Sequence, residues 1–442
     1  MKVNAASYIT VKPRIVHAHQ TQTIEVFCKY PERKFSGTYE VFLLPRYYFS
    51  SAGRAASFEG FLCNSTDDGH LCFSFDFREE QEYILAIQPK AGDTRLVFST
   101  SLYALEEDLF CLYALKGDLH MHTTCSDGAE SPRHRVAAAR MAGHDFLAIT
   151  DHNSDAGSLA AKRAVKLLDV PMTAIRGEEV HAADCPVHIL SLGASRSVVP
   201  EVAAPSAELY AAREAILARY NRPLPDNVDK QPFAAALDVF HRIRAAGGVS
   251  VLCHIYWEVF DWFHRQRLGA PQQLIDALTD DPAFDIFELT SGAPKEDLSA
   301  NYLQAAYYAE KLPRHFPIIG ITDSHSTLQE ANTIFGKNYT IVFSEDRSEG
   351  AILNAILQYR SVSVDGVGSH PILRGSIRLC KYAKFLIQYY FPFHDSLLHQ
   401  EGTIMDRILQ QQTMDDSLRV AIQHTSERIS AEWDGIRYQP DS

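Results

Sequence analysis

The sequence predicts an α/β protein in which repeated strand–helix units form a closed barrel or a doubly wound sheet. Three patterns predict it: period-two strands in the first hundred residues, short apolar runs alternating with helical stretches from about residue 113, and a helical pattern after about residue 366. At roughly 150 residues per domain, a chain of 442 residues has room for two or three domains. We therefore expect a β domain at 1–112, a central α/β domain at 113–366 and a helical C-terminal extension at 367–442.

The N-terminal region alternates β-branched or aromatic residues with turn residues. Short strands of period two, spaced by Gly, Pro, Asn and Asp, are typical of a small antiparallel sandwich or barrel. The runs are TIEVFCKY, GTYEVFLLP, GHLCFSFDF, EYILAIQP and TRLVFST. We expect an antiparallel β-sandwich from 1 to 112.

The central region contains short, continuous apolar runs, which are typical of parallel strands buried on both faces. They are FLAIT, MTAI, VHILSL, VSVLC, DIFEL, PIIGIT and YTIVF. Between the strands, Ser131 and Pro132 supply an N-cap and a first helical residue, and Gly143 marks the end of that helix. Residues 194–232 exceed the length that one connecting helix needs, so we interpret them as an insertion that could cover a site.

The charge of the chain disfavours one class of partner. The 42 Lys and Arg stand against 55 Asp and Glu, giving a formal charge of −13, and no basic run of the kind that binds long nucleic acids occurs. The eight cysteines form no C-x-x-C pair, and the N-terminus lacks the apolar segment of a secretory signal, so we expect reduced thiols and a cytoplasmic location. No segment approaches the roughly 20 apolar residues of a membrane span.

The strongest local signal is an H-x-H pair at a predicted strand end. In the segment GDLHMH, His120 and His122 point the same way in an extended backbone, so both imidazoles can reach one cation. The next apolar strand runs directly into Asp151 and His152. Either motif alone also has a structural explanation, because a carboxylate can cap a helix and a histidine can lie at the surface.

Similar residues follow nearly every predicted strand of the central region. Two glutamates follow MTAIR, His188 opens HILSL, His254 follows VSVLC, and Asp323 and His325 follow PIIGIT. In a parallel barrel the carboxyl ends of all strands converge on one face, so residues distant in sequence meet there. Nitrogen and oxygen ligands without cysteine suit Zn, Mn or Fe, and their number exceeds the roughly four to six that one ion needs. The sequence therefore predicts two or three divalent metal ions.

Five segments together resemble the polymerase and histidinol phosphatase family, PHP for short. They are DLHMHTTCSDG, AITDHN, GEEV with HIL downstream, LCHIYW and ITDSH, and they span about 113–366. The resemblance implies a distorted, TIM-like (β/α)7 barrel with a trinuclear metal centre and phosphoesterase activity. Within the family, the chain is most similar to the subgroup named for carbaryl and related carbamate hydrolases, whose members often carry extra N-terminal β domains. The metal ligands that the resemblance implies are His120, His122, Asp127, His152, Glu179, His188, His254, Asp323 and His325.

Some positions depart from the family pattern or leave a choice open. Ile255 stands where a proline is expected before the aromatic pair, and Asp127 stands where some relatives have histidine. Strand alternation allows only one of Glu178 and Glu179 to face the metals, and the G-x-E register favours Glu179. We interpret His181, close to this segment, as an exposed loop histidine rather than a group that supports a ligand.

The leading functional hypothesis is hydrolysis of a small phosphorylated metabolite or nucleotide by a hydroxide that bridges two metal ions. Asp323 is the candidate bridging carboxylate, and His325 or His188 is the candidate hydrogen-bond partner of the leaving oxygen. Asp118 and Asp151, beside ligand histidines, either orient an imidazole or cap a backbone turn.

Two other functions stay open. The same hydroxide could attack a carbamate, amide or ester, or the chain could be a binding protein without activity, which nine ligand-competent positions disfavour. Tyr256, Trp257 and Trp262 either stack on an aromatic part of the substrate or pack in the core, and Arg176 and Lys337 are candidate phosphate contacts. We expect a small anionic substrate, no long nucleic acid and no membrane, and leave a homo-oligomer open.

Overall fold

The computed structural model divides into two compact units. One comprises residues 1–112, 381–394 and 427–442, and the other 113–380 and 395–426. The predicted helical extension at 367–442 therefore contributes residues to both units. The domain boundaries 1–112, 113–366 and 367–442 remain predictions from the sequence. The residues described are 9–30, 32, 34–47, 59–90, 98–257, 259–261, 265–281, 283–291, 299–312, 315–328, 334–411 and 415–437.

The first unit contains two sheets that share one apolar core. Their strand orders are β1-β3-β6 and β2-β8-β7-β4-β5, and all neighbours are antiparallel except β2 and β8. Alternate residues point inward, so that Ile24 and Val26 of one sheet join Leu85 and Ile87 of the other in the core. The elements are β1 (Ile9–Lys12), β2 (Ile15–His17), β3 (Gln20–Cys28), β4 (Thr38–Pro45), β5 (Phe61–Asn64), β6 (Leu71–Phe77), β7 (Gln81–Pro89), β8 (Phe98–Leu105) and helix α1 (Glu107–Phe110).

The second unit is a mixed α/β structure with a six-stranded and a five-stranded sheet. Their orders are β11-β10-β9-β19-β20-β21 and β12-β13-β14-β17-β18, with β15 and β16 forming a separate pair. Leu115 and Val342 of the first sheet meet Val251 and Ile319 of the second in one buried cluster. The strands are β9 (Tyr113–Asp118), β10 (Phe146–Ala148), β11 (Thr173–Ile175), β12 (Gly177–Val180), β13 (Ile189–Leu192), β14 (Val249–Leu252), β15 (Val259–Asp261), β16 (Gln266–Leu268), β17 (Ile286–Thr290), β18 (Ile318–Gly320), β19 (Tyr339–Ser344), β20 (Ser361–Asp365) and β21 (Ile372–Arg374).

The expectation that the apolar runs are all parallel strands is wrong for β13 and β19. Each runs antiparallel to both of its neighbours. A strand buried on both faces is a continuous apolar run whatever its direction, so the pattern does not report direction. Between β12 and β13 the link 181–188 is shorter than the dozen or so residues that a parallel crossover needs.

The helices begin and end largely where the sequence signals lie. Ser131 Oγ accepts a hydrogen bond from the His134 amide at the start of α2, and Pro132 is its first residue. The predicted insertion folds into α4 and α5, whose Val202 and Leu209 are buried with residues of α6. The helices are α2 (Pro132–Met141), α3 (Ala156–Leu168), α4 (Val199–Val202), α5 (Ala207–Arg219), α6 (Lys230–Ala245), α7 (Gln272–Asp280), α8 (Ser299–Glu310), α9 (Glu349–Leu357), α10 (Ile377–Tyr389), α11 (Phe391–Gln411) and α12 (Asp416–Ile436).

All eight cysteines are free thiols. In the described part of the chain, none of the helices is both long enough and apolar enough to span a membrane.

Candidate metal centre

The ends of the central strands carry the predicted ligands into one cluster in the second unit. His120, His122 and Asp127 follow β9, His152 follows β10, Glu179 lies on β12, and the others flank β13, β14 and β18. The structure brings all nine predicted ligands together: His120, His122, Asp127, His152, Glu179, His188, His254, Asp323 and His325.

Glu179 lies at the centre of this cluster, with its carboxylate among six imidazoles. Its Oε1 is 2.9 Å from Nδ1 of His188 and 3.0 Å from Nε2 of His254. Its Oε2 is 2.8 Å from Nδ1 of His152 and 3.3 Å from Nε2 of His120. A fully buried carboxylate in this position can be shared between more than one cation.

Asp323 is the second buried carboxylate and faces the H-x-H pair. Its Oδ1 is 2.9 Å from Nε2 of His122 and 3.3 Å from Nε2 of His120. Asp323 and His254 both have positive φ angles, 49° and 25°. Such strained backbone at non-glycine residues persists only where the surrounding structure enforces it, and it is concentrated at functional sites.

Asp127 marks the open side of the cluster. Its Oδ2 is 3.3 Å from Nε2 of His325 and 3.4 Å from Nε2 of His152, and its Oδ1 is 3.8 Å from Nδ1 of His122. The Asp127 side chain is 55% exposed and that of His325 is 41% exposed. A small molecule can therefore reach the cluster from this side.

The donor atoms fit divalent metal ions. Several buried atoms of the cluster have no hydrogen-bond partner among the described residues, although they lie close together: His120 Nε2, His122 Nδ1, His152 Nδ1, Glu179 Oε2 and His188 Nδ1. Burying a polar atom without a partner costs about 1–3 kcal/mol, and a cation placed between lone pairs provides that partner. Imidazole nitrogen and carboxylate oxygen suit Zn and its neighbours in the first transition row.

Three overlapping groups of these donors each hold their ligand atoms within 4.8 Å of one another. Glu179 belongs to two of them, and His122 to two. The groups are His120, His122, Glu179 and Asp323; Glu179, His188 and His254; and His122, Asp127, His152 and His325.

The electrostatics favour ionised carboxylates. Burial disfavours charge on all these groups, but His120 holds the pKa of Glu179 well below its ordinary value. The carboxylates of Asp323 and Glu179 in turn raise the pKa of His120 against the effect of burial. For His188, burial prevails and lowers the pKa to about 4, so this imidazole is neutral near pH 7, which is the form that binds metals.

Glu288 on β17 is a functional candidate that the sequence reasoning missed. Its Oε2 is 3.2 Å from Nδ1 of His120, and its Oε1 accepts a hydrogen bond from the His254 amide at 3.0 Å. A carboxylate on the outer nitrogen of a ligand histidine fixes the tautomer and the ring orientation. The available signal was the glutamate inside the otherwise apolar run DIFEL, where nothing else explains a buried charge.

Asp118 and Asp151 contact backbone amides and hydroxyls, which favours the second of their two predicted roles. Asp118 accepts hydrogen bonds from the amides of His120 and Thr322, and burial raises its pKa to about 7. Asp151 accepts from the amide and hydroxyl of Thr123 at 2.6 and 2.7 Å. Both aspartates therefore fix the backbone that carries the ligands.

Glu178 points away from the cluster, as strand alternation requires for the neighbour of Glu179. Its carboxylate accepts hydrogen bonds from the Ser197 hydroxyl and, at 2.8 Å, from the Val198 amide. These partners belong to the predicted insertion, so that segment ties down the outer face of β12. The same strand thus serves the cluster with one glutamate and the scaffold with the other.

The other residues predicted to contact the substrate lie in different surroundings. The Trp257 ring lies 5.0 Å from that of His188, at the edge of the cluster, whereas Tyr256 packs against Tyr307. Trp262 lies outside the described residues. The Arg176 guanidinium is bound to Asp155, and Lys337 is exposed.

Comparisons with known proteins give local likenesses. No family model matches the chain. It is 47% identical over 51 residues to the DNA polymerase/3'-5' exonuclease PolX of Bacillus subtilis (strain 168), covering 12% of this chain and 9% of that protein. It is 39% identical over 80 residues to the phosphoribosyl 1,2-cyclic phosphate 1,2-diphosphodiesterase of Eggerthella lenta, covering 17% and 30%. The chain therefore spans less than a third of the length of these curated relatives.

Among solved structures, the chain is similar to a two-domain protein from Bacteroides vulgatus described as containing a PHP-like metal-dependent phosphoesterase. That likeness covers 63% of this chain and 71% of that one, with 20% identity and a TM-score of 0.39.

Proposed function

We propose that this chain is a metal-dependent phosphoesterase acting on a small phosphorylated metabolite or nucleotide. Its five motifs and the proteins that it matches resemble the polymerase and histidinol phosphatase family. One observation carries the proposal: nine imidazole and carboxylate groups converge with buried lone pairs that lack partners among the described residues. The relative that is named a cyclic-phosphate diphosphodiesterase supports a phosphoester as the substrate class.

The ligand roles of the nine residues are part of the proposal. Bound divalent ions supply two effects to ester hydrolysis: they acidify water and neutralise charge on phosphoryl oxygens. Asp323 and Glu179 hold the histidines of the buried side in place, and Asp127 and His325 line the accessible side. Of the two candidates for the leaving oxygen, His325 is the better placed, because its side chain is 41% exposed whereas that of His188 is 15% exposed.

The substrate is proposed to be small and anionic. The chain carries −13 overall, but two or three divalent cations would more than neutralise the charge of the three acidic ligands Asp127, Glu179 and Asp323. A positive site on an acidic protein favours a small phosphate ester over a long polyanion. Trp257 at the edge of the cluster is the candidate contact for the organic part.

Other features remain predictions from the sequence. They are a (β/α)7 barrel, a trinuclear centre of Zn, Mn or Fe, a cytoplasmic location and the likeness to the carbamate hydrolase subgroup.

A substrate panel tests the proposed function. The full chain is loaded in turn with Zn²⁺, Mn²⁺ and Fe²⁺, its metal content is measured by elemental analysis, and it is assayed on an aryl phosphate, a nucleotide panel, a cyclic phosphate and an aryl carbamate. We expect turnover of phosphate esters that is abolished by chelation and restored by metal. Turnover of the carbamate with none of the phosphates would overturn the proposal in favour of a carbonyl hydrolase, and metal binding without any turnover would favour a binding protein.

A further inference from the structure

His181 lies against the metal cluster although it is not among the nine ligands. It follows Glu179 by two residues and lies directly after the end of β12. Its Nε2 is 3.7 Å from Oε1 of Glu179, and its ring stacks on that of His188 with centroids 3.7 Å apart. The side chain is 31% exposed, yet its Nε2 atom is buried and has no hydrogen-bond partner among the described residues.

His181, Glu179 and His152 form a donor group of their own. One ligand atom from each of the three lies within 4.8 Å of the other two. Three of their atoms are buried without a hydrogen bond inside the described part of the chain, namely His152 Nδ1, Glu179 Oε2 and His181 Nε2. A third unpartnered atom at this point is hard to explain by packing, because each such atom costs free energy.

His152 separates this group from the Asp127 group. Its Nε2 lies 3.4 Å from Oδ2 of Asp127, while its Nδ1 lies 2.8 Å from Oε2 of Glu179. The two nitrogens of one imidazole point in different directions, so the two groups lie on different sides of the ring.

The backbone holds His181 in this position. Its amide donates a hydrogen bond to Oδ1 of Asn153 at 2.8 Å, and the Asn153 amide donates to the carbonyl of Glu179 at 2.8 Å. Asn153 has a φ of 49°, a conformation that asparagine tolerates better than most residues. The segment that follows His152 is thus tied directly to the segment that carries His181.

We infer that His181 is a metal ligand, which with Glu179 and His152 holds a divalent cation on the Nδ1 side of His152. A set of two imidazoles and one carboxylate is the chemistry of Zn²⁺ and of first-row ions that accept nitrogen. The inference rests on the proposed metal-dependent function and adds a position to it. The competing explanation is that His181 only supports His188 by ring stacking.

Two substitutions separate a ligand from a stacking partner. His181→Phe keeps an aromatic ring against His188 and removes the nitrogen, whereas His181→Ala removes both. His241→Ala is the matched control, since His241 is exposed on α6. Each full-length protein is stripped of metal, reconstituted with Zn²⁺ for elemental analysis and chelator competition, and loaded with Co²⁺ for its absorption spectrum.

We expect both His181 variants to lose one equivalent of Zn²⁺ or to release it to chelator at an affinity at least about tenfold weaker, with a changed Co²⁺ spectrum. His241→Ala should match wild type, and the metal-free proteins should unfold at the same temperature. Full Zn²⁺ binding and an unchanged Co²⁺ spectrum in His181→Phe would overturn the inference, whatever His181→Ala shows. If wild type itself bound no metal, both this inference and the proposed function would fail. If wild type bound metal and cleaved phosphate esters while His181→Phe kept its metal, only this inference would fail.

Discussion

Two regions of the second unit bury charged side chains, and they neutralise them in different ways. Next to α2, the Arg140 guanidinium is fully buried, with its Nε 2.5 Å from Oε2 of Glu401. The other oxygen of Glu401 accepts a hydrogen bond from the Ser426 hydroxyl, and Arg140 also donates to the carbonyl of His144. In the metal cluster, by contrast, the ion-pair partners of the buried carboxylates of Glu179 and Asp323 among the described residues are imidazoles.

The difference lies in where the positive charge comes from. Arginine is always protonated, so the Arg140–Glu401 pair balances its charge within the chain. Imidazole provides a charge only by taking up a proton, and burial opposes that at His188. His144 shows that an unpartnered histidine alone is no metal signal: both its ring nitrogens are buried without a partner among the described residues, yet it belongs to none of the donor groups found there. Convergence on carboxylates, rather than burial, marks the site.

The largest expected effect tests the dependence of the cluster on an external cation. Oδ1 of Asp323 faces Nε2 of both H-x-H histidines. The substitutions Asp323→Asn and His120→Ala each remove one group of this set. We expect phosphate ester turnover to fall at least about 10,000-fold, a barrier increase of about 5 kcal/mol. Metal content by elemental analysis should fall with it, while the metal-free variants unfold near the wild-type temperature. Near-wild-type turnover in a fully loaded variant would show that the ligand assignment is wrong.

The Arg140 region should respond in the opposite way. Glu401→Gln leaves a buried guanidinium without its nearest carboxylate, and the next one, Asp145, lies 3.6 Å from Nη1 of Arg140. We therefore expect the free energy of unfolding to fall by about 3 kcal/mol. Metal content per folded molecule should not change. Denaturant titration measures the first and elemental analysis the second. As a control, the double change Arg140→Met with Glu401→Leu should recover much of the stability, because no charge is left unpaired; equal losses in the single and double variants would contradict this account.

His144 predicts an acid sensitivity that does not involve metal. Burial lowers its pKa to about 3, against an ordinary value of 6.5. Below pH 6.5 the unfolded chain therefore takes up a proton that the native chain does not, and stability is lost as pH falls toward 3. At pH 5 the contribution is about 2 kcal/mol. The free energy of unfolding of His144→Leu relative to wild type should rise by that amount between pH 7.5 and pH 5 in chelator; a constant difference would show that His144 does not titrate as described.

Local pattern located the candidate ligands because their position depends on strand ends. His152, His254 and Asp323 each follow an apolar run, and a strand end can be identified from the few residues around it. The alternation along GEEV likewise predicts that only one of Glu178 and Glu179 faces the cluster, and the G-x-E register that the family resemblance implies favours Glu179. In the structure the two glutamates do lie on opposite sides of β12.

What pattern did not provide depends on contacts between distant segments. Arg140 and Glu401 are 261 positions apart, and neither has a sequence signature that names the other. The sequence predicts a loop histidine at His181, because the contact between His181 and His152 depends on Asn153, which joins the two segments in the structure. Strand direction was hidden for a different reason: a strand buried on both faces has the same composition in either direction.

The smallest expected effect concerns a hydrogen bond to the link between His181 and His188. The Tyr210 hydroxyl on α5 donates to Oδ2 of Asp184 at 2.6 Å, and Asp184 lies in the link that joins His181 to His188, with a φ of 57°. Because the hydrogen bond is exposed to solvent, Tyr210→Phe should weaken Zn²⁺ retention against chelator by at most about threefold. Tyr302→Phe, an exposed tyrosine on α8, is the control. A loss as large as that of His181→Phe would mean that the insertion shapes the metal centre far more strongly than one solvent-exposed contact can. An effect on unfolding without any effect on Zn²⁺ would mean that Tyr210 supports the fold and not the metal centre.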